Sequence, residues 1–93
     1  MHGSIWRLRG EPSAIIAGYE SLVAAIPAAN MRLHACLVAD DGLLVVDTCP
    51  SQEVFEGFAA GFPAICAAHG LPAPELVADL PVHAAFAGGE RVV

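Results

Sequence analysis

Lysine is absent from this chain. Its four strong cations are all arginine, set against ten acidic residues for a net charge of -6. No basic face can be assembled to neutralise phosphates, which excludes nucleic acid as a partner. The same shortage excludes an anionic membrane surface. Long apolar runs are also missing. The longest nearly apolar stretch, Gly57 to Ala68, has twelve residues and is broken by Gly61 and Pro63, short of the roughly 20 that a bilayer needs. The opening Met1-His2-Gly3-Ser4-Ile5-Trp6-Arg7 lacks the charged-then-apolar order of a secretory signal. The sequence therefore predicts a soluble cytoplasmic protein. Cys36, Cys49 and Cys66 are odd in number and lack CxxC spacing, so no disulfide framework is expected, and cytosolic thiols stay reduced.

What is present is apolar surface. Apolar residues make up 56% of the 93 positions and charged residues 15%. The length predicts one domain spanning residues 1–93, and the hydrophobicity rules out disorder. A chain of this mass exposes about 5,000 Å² when folded. That is too little interior for so many apolar residues, even allowing for 18 alanines. Uncovered apolar patches mark partner surfaces, and a two-fold dimer is the simplest cover.

Ile5 to Leu8 reads as a first strand bounded by Gly10. Glu11-Pro12-Ser13 opens a helix, with Pro suited to the first turn. Ile15, Tyr19, Leu22, Val23 and Ile26 then recur at helical spacing until Pro27. Met31–Ala39 and Leu43–Cys49 are β-type runs around Asp40-Asp41-Gly42, a hairpin signal. Pro50-Ser51-Gln52-Glu53 starts a second helix, in which Gly61 and Pro63 predict a kink or two segments. His69-Gly70 is its expected end. Leu71 to Glu75 reads as a connector, Leu80 to Phe86 as the last strand, and Gly88-Gly89-Glu90-Arg91 as a short tail. The order β-α-β-β-α-β predicts an α+β, ferredoxin-like fold: a four-stranded antiparallel sheet with both helices on one face.

Period two sorts the hairpin into faces. One face holds Leu33, Ala35, Leu37, Leu44, Val46 and Thr48. Being nearly all apolar, it is expected to meet the helices. The other holds His34, Cys36, Val38, Leu43, Val45, Asp47 and Cys49 and is expected to lie open. With an Asp41-Gly42 turn, His34 falls opposite Cys49; with a four-residue turn, opposite Asp47. Ile5, Arg7, His83 and Ala85 are expected on the open face as well. Two such faces closing on each other would trap Arg7, His34, Cys36, Asp47, Cys49 and His83 in an apolar chamber, the usual make-up of a small-molecule site.

The element order, together with Val45-Val46-Asp47-Thr48-Cys49-Pro50-Ser51-Gln52-Glu53-Val54-Phe55, resembles the dimeric α+β barrel superfamily. More narrowly, it resembles the small proteins related to antibiotic-biosynthesis monooxygenases. Their third strand runs into Trp-(Asp/Glu)-Ser-x-Glu-x-(Phe/Trp) at the start of the second helix, and Ser51, Glu53 and Phe55 fit that frame. Ala67-Ala68-His69-Gly70-Leu71-Pro72 and Pro81-Val82-His83 add to the likeness, which covers Met31 to Phe86. The resemblance implies a homodimer whose two sheets form a barrel with a ligand cavity in or beside it. It also implies cofactor-free oxygenase, isomerase or related chemistry on polyketide-like aromatics. Cys49 stands where the family has Trp, and the first strand lacks the Asn of haem-degrading members, so haem degradation is not implied.

The expected function is therefore a cofactor-independent oxygenase or cyclase/isomerase acting on a small aromatic or polyketide-like molecule. His34 is the candidate general base, Asp47 its orienting partner and Arg7 the group that steadies an oxyanion. Cys36, Cys49, His83 and Val45 are candidate substrate contacts. Cys36, Cys49, His34 and Asp47 have the chemistry of metal ligands, but neighbouring pair positions on a flat sheet rarely converge tetrahedrally, and no metal is assigned. No cofactor is expected. The alternatives are the same dimer binding an apolar metabolite without converting it, and a metal or redox sensor using Cys36 and Cys49.

Overall fold

The computed structural model describes residues 1–27 and 32–93; the expected start of the second strand at Met31 lies outside them. Strand β1 (His2–Arg9), helix α1 (Pro12–Ala24), strands β2 (His34–Ala39) and β3 (Gly42–Cys49), helix α2 (Gln52–Ala68) and strand β4 (Glu75–Pro81) follow in order, then a small hairpin of β5 (Phe86–Ala87) and β6 (Glu90–Arg91). The first four strands form one antiparallel sheet in the order β2-β3-β1-β4. This is the ferredoxin-like arrangement.

Alternate residues of β1 set the layers. His2, Ser4, Trp6 and Leu8 are buried, while Gly3, Ile5 and Arg7 between them are only half-buried. Trp6 and Leu8 join Leu43 and Val45 of β3, Ile15 and Leu22 of α1, and Phe55, Phe62 and Cys66 of α2 in one core. Both helices therefore cover the same face. Trp6 anchors the layer, with its ring 4.9 Å edge-on from Phe62 and its indole N–H donated to Ser4 Oγ at 3.2 Å. The opposite face carries Ile5, Leu37, Val46 and Leu80, and no helix among the described residues covers it. Leu80 is 65% and Leu37 51% exposed. The accessible surface of 5655 Å² exceeds the roughly 5,000 Å² of a compact chain of this mass.

Several expectations are corrected. The faces of the β2–β3 hairpin are inverted. Cross-strand partners share a face, and Trp6 pairs with Val45 and Leu8 with Leu43. The odd positions of β3 thus turn toward the helices, as do His34 and Cys36 of β2, which pair with Asp47 and Val45. The more apolar face lies outward and the one carrying His34, Asp47 and Cys49 lies inward, because the latter also holds Leu43 and Val45, the partners of Leu8 and Trp6. The turn is Asp40-Asp41, with Ala39 pairing Gly42, so His34 does lie opposite Asp47, but through a two-residue turn. Gly42 belongs to the strand because β1 passes so close that a Cβ there would collide with the Leu8 carbonyl oxygen. Helix α2 is one segment, not two. Ser51 caps it by accepting from Val54 N–H at 3.2 Å, and Pro63 sits on its exposed side, where losing one backbone hydrogen bond is tolerated while Phe55, Phe62 and Cys66 hold the helix to the sheet.

The last strand of the sheet, β4, starts at the end of the expected connector and shares only Leu80 and Pro81 with the expected Leu80 to Phe86. It pairs with β1 from Glu75 to Pro81 along an edge, with a register shift at Val77, and the terminal Pro81 sacrifices no ladder bond. The expected tail is a hairpin. Gly88 and Gly89 both have positive φ, 60° and 82°, as its tight turn requires.

Two glycines should respond oppositely to alanine. Gly42→Ala meets a backbone oxygen at φ 153° and should cost about 2–4 kcal/mol. Gly57→Ala meets nothing within 4 Å in α2 and should add about 0.5–1 kcal/mol. Urea unfolding of the two variants measures both, and an unchanged midpoint for Gly42→Ala would remove the close-approach explanation.

Candidate functional site

The polar side chains of the helix-facing sheet gather at one end. His2, Ser4, Asp47, Cys49 and His34 come from three strands, and Asp79 of β4 joins them. Over that end, the C-terminal part of α1 and the N-terminal half of α2 stand apart. Between them lies a cleft of about 960 Å³. Leu22, Ile26, Val54, Phe55, Phe58 and Ile65 form apolar walls, and Ser4, His34, Asp47, Thr48 and Cys49 form the floor, with Arg32 also on the lining. A second cavity of about 30 Å³, room for about one water, shares Leu22, Ile26, His34, Asp47 and Phe58 with the cleft and adds Tyr19 and Val45.

His34 is the centre of this end. Its Nε2 lies 2.6 Å from Tyr19 Oη, and its Nδ1 lies 3.7 Å from Asp47 Oδ2. Asp47 is fixed by the Thr48 N–H, which donates to Oδ1 at 2.8 Å. Nδ1 is buried without a hydrogen-bond partner. The tautomer that suits both neighbours carries its proton on Nδ1, facing the carboxylate, and leaves Nε2 to accept from the phenol. A shift of about 0.8 Å would bring Nδ1 and Oδ2 into hydrogen-bonding range, a looseness common at sites awaiting a ligand. Burial raises the pKa of Tyr19, and the neighbouring Cys36, Glu20 and Asp47 raise it further, so it stays a phenol. Burial also raises Asp47, against the lowering effects of the Thr48 N–H and His34.

Of the expected site residues, His34, Asp47, Cys36, Val45 and Cys49 share the helix-facing side of the sheet, not the open face. Cys36 lies beside Tyr19, and burial raises its thiol. Val45 is buried in the core. Cys49 lines the cleft and donates to the Ser51 carbonyl at 3.3 Å; burial raises its thiol too. Arg7 is not part of this group. It projects to the opposite face, between Leu44 and Glu75 of the neighbouring strands. His83 is exposed and follows β4. Among the described residues, no three His, Cys, Asp or Glu side chains come together as metal ligands would, and no helix is long and apolar enough to cross a membrane.

Tyr19 belongs to the apolar stripe of α1 by spacing, and its hydroxyl is what joins it to this site. It is the one polar atom on the apolar stripe of α1, and a phenol buried in such a stripe needs a hydrogen-bond partner. That partner is His34.

The raised pKa of Asp47 has a sign that can be tested. The folded chain holds this proton more tightly than the unfolded chain does. The contribution to stability is full below the ordinary carboxylate range and is lost as pH rises through the raised value. Asparagine keeps an acceptor for Thr48 and never ionises. Asp47→Asn should therefore melt a few degrees above the parent at pH 8. The gain should vanish toward pH 4. A lower melting temperature at pH 8 would show that the carboxylate anchors the fold instead. No protein-family model, curated protein or solved structure matches this chain, so its fold and side-chain geometry are what a functional reading rests on.

Proposed function

We propose that this chain is a homodimeric protein of the dimeric α+β barrel kind, a cofactor-independent oxygenase or cyclase/isomerase that deprotonates a small aromatic or polyketide-like molecule in the cleft between its helices and its sheet. The observation that carries the reading is the 2.6 Å contact of Tyr19 Oη with His34 Nε2, with Asp47 on the far side of the imidazole. The small cavity that holds the Tyr19 side chain adjoins the cleft, and an acidic C–H reaching into it gives its proton to Oη while the phenol passes its own to Nε2. The imidazolium forms next to the Asp47 carboxylate, and no free phenolate appears, in keeping with the raised pKa of Tyr19. The electron pair stays on the substrate as an enolate. It is reprotonated elsewhere in an isomerase, attacks a carbonyl in a cyclase, or reduces dioxygen in an oxygenase. Apolar walls suit such a substrate and keep water from the enolate.

Pairing uses the other face. Leu37, Val46 and Leu80 stand exposed on the open side of the sheet, and a second copy laid on it would cover them. The rival reading, a binder that converts nothing, is favoured by the orphaned Nδ1 of His34 and separates from the first in one experiment.

Acetylacetone and tetralone, two carbon acids, are incubated with the protein in deuterated buffer and their exchange followed by mass spectrometry. The parent should accelerate exchange. His34→Ala should lose about a hundredfold or more, and Tyr19→Phe about tenfold. Saturable binding with no acceleration would establish the binder instead. Light scattering should give twice the 9.6 kDa chain mass, falling to one chain in the Leu37→Glu, Val46→Glu double variant. A single-chain mass for the parent would remove the pairing.

A further inference from the structure

We infer that the molecule this cleft takes is a small carboxylic acid with an apolar or aromatic body, and that Arg32 selects it by holding its carboxylate. The inference rests on the cleft being the ligand site, as proposed above, and goes on to name the ligand's charge and the residue that reads it.

The four arginines have distinct situations. Arg9 is bound to both oxygens of Glu75, at 3.0 and 2.8 Å, and to Asp41 at 3.3 Å. Arg91 donates to the Val93 carbonyl at 2.6 Å and lies over the Phe86 ring. Arg7 is on the opposite side of the sheet. Arg32 is exposed, lines the cleft and makes no ion pair among the described residues. In a chain with ten acidic residues and net charge -6, a guanidinium that faces an apolar cleft instead of one of those carboxylates is available to an anion from outside. The acid on the lining is Asp47, already engaged by Thr48 N–H and His34. A guanidinium matches a carboxylate in a two-bond fork.

Spacing then limits the ligand. Arg32 and His34 are two residues apart, so their Cα atoms lie within about 7 Å. A carboxylate at Arg32 leaves the next few atoms of the molecule over His34, beside the small cavity that holds the Tyr19 side chain, and its apolar remainder runs between Leu22, Ile26, Phe58 and Ile65. The anion also favours the chemistry. It fixes one end of the molecule while the opposite end contributes contact area, so the acidic carbon is presented to Oη in one orientation.

The test uses naphthoate and its neutral methyl ester, which share one ring system, titrated calorimetrically at low salt into the full chain and two variants. The parent should bind both and prefer naphthoate. Arg32→Gln should weaken naphthoate about fivefold, the size of a partly exposed ion pair, and leave the ester unchanged. Ala25→Trp, which fills the cleft from the end of α1, should weaken both without altering the far-ultraviolet circular dichroism. If Arg32→Gln leaves naphthoate binding intact while Ala25→Trp abolishes it, the cleft is the ligand site and anion selection by Arg32 is wrong. If Ala25→Trp affects neither compound, they bind elsewhere and the cleft itself falls as the site.

Discussion

The register between β1 and β3 is the constraint on which the rest of this structure depends. Trp6 lies opposite Val45 and Leu8 opposite Leu43, and Leu8 and Leu43 are almost wholly buried. Because side chains alternate strictly along a strand, fixing these two pairs fixes every other side chain on β3, and through it every one on β2. Asp47 and His34 are carried beneath the helices by the same parity that buries Leu43 and Val45. A slip of one residue would send the apolar core to the open face together with the imidazole and carboxylate. The site therefore has no independent means of placement; it shares the register of the core.

That placement has a cost, and the fold meets it unevenly. Two His–Asp pairs lie at the same end of the sheet. His2 Nε2 is 2.9 Å from Asp79 Oδ1, a direct link from β1 to the edge strand β4. The second pair, His34 with Asp47, is left at 3.7 Å, and the nitrogen between them is unpartnered. A buried polar atom without a partner costs stability, and the raised pKa of Asp47 shows its charge to be poorly solvated. The first pair reads as architecture and the second as a site held ready, because only the second opens onto the cleft. The helices contribute by standing apart. Gly18 of α1 lets that helix approach the end of α2, where a Cβ would lie 2.7 Å from the His69 carbonyl oxygen, and Ser21 Oγ meets His69 Nδ1 at 2.9 Å. Closed at this end, the helical layer is open at the other, over the polar residues.

Much of the fold was legible in the residues. Pro12, Ser51 and Gly70 mark helix boundaries by their backbone chemistry, and the apolar stripe from Ile15 to Ile26 gives α1 its buried side. The pairing of His34 with Asp47 was within reach of hairpin arithmetic. What was not legible is which side of the hairpin meets the helices. Leu33, Leu37, Leu44 and Val46 make a more apolar face than the one that carries His34 and Asp47, so hydrophobicity points the wrong way, and the choice falls to β1, whose Ile5 pairs with Val46 from far along the chain. Arg7 is parted from the site for that reason: between the buried Trp6 and Leu8 it keeps the open face expected of it, while His34 and Asp47 turn to the other side. His83 left because β4 begins and ends earlier than its apolar run suggested. Tyr19 was overlooked because a phenol looks apolar in a helical stripe until its hydroxyl is given a partner.

The inversion changes what assembly can do. Had the histidine and carboxylate faced outward, the chemistry would have required two copies to build each chamber, and separating them would have destroyed it. With both groups under the helices, each chain holds a whole cleft of its own. The proposed pairing and the proposed proton transfer would then rest on opposite sides of one sheet. They are coupled only through the strands they share: Val46 stands outward between Val45 and Asp47, which point inward. A charge placed at Val46 acts on association first, and reaches Asp47 only by moving the backbone of β3. Rigid pleating keeps that movement small, so the two functions can be altered separately even though adjacent residues carry them.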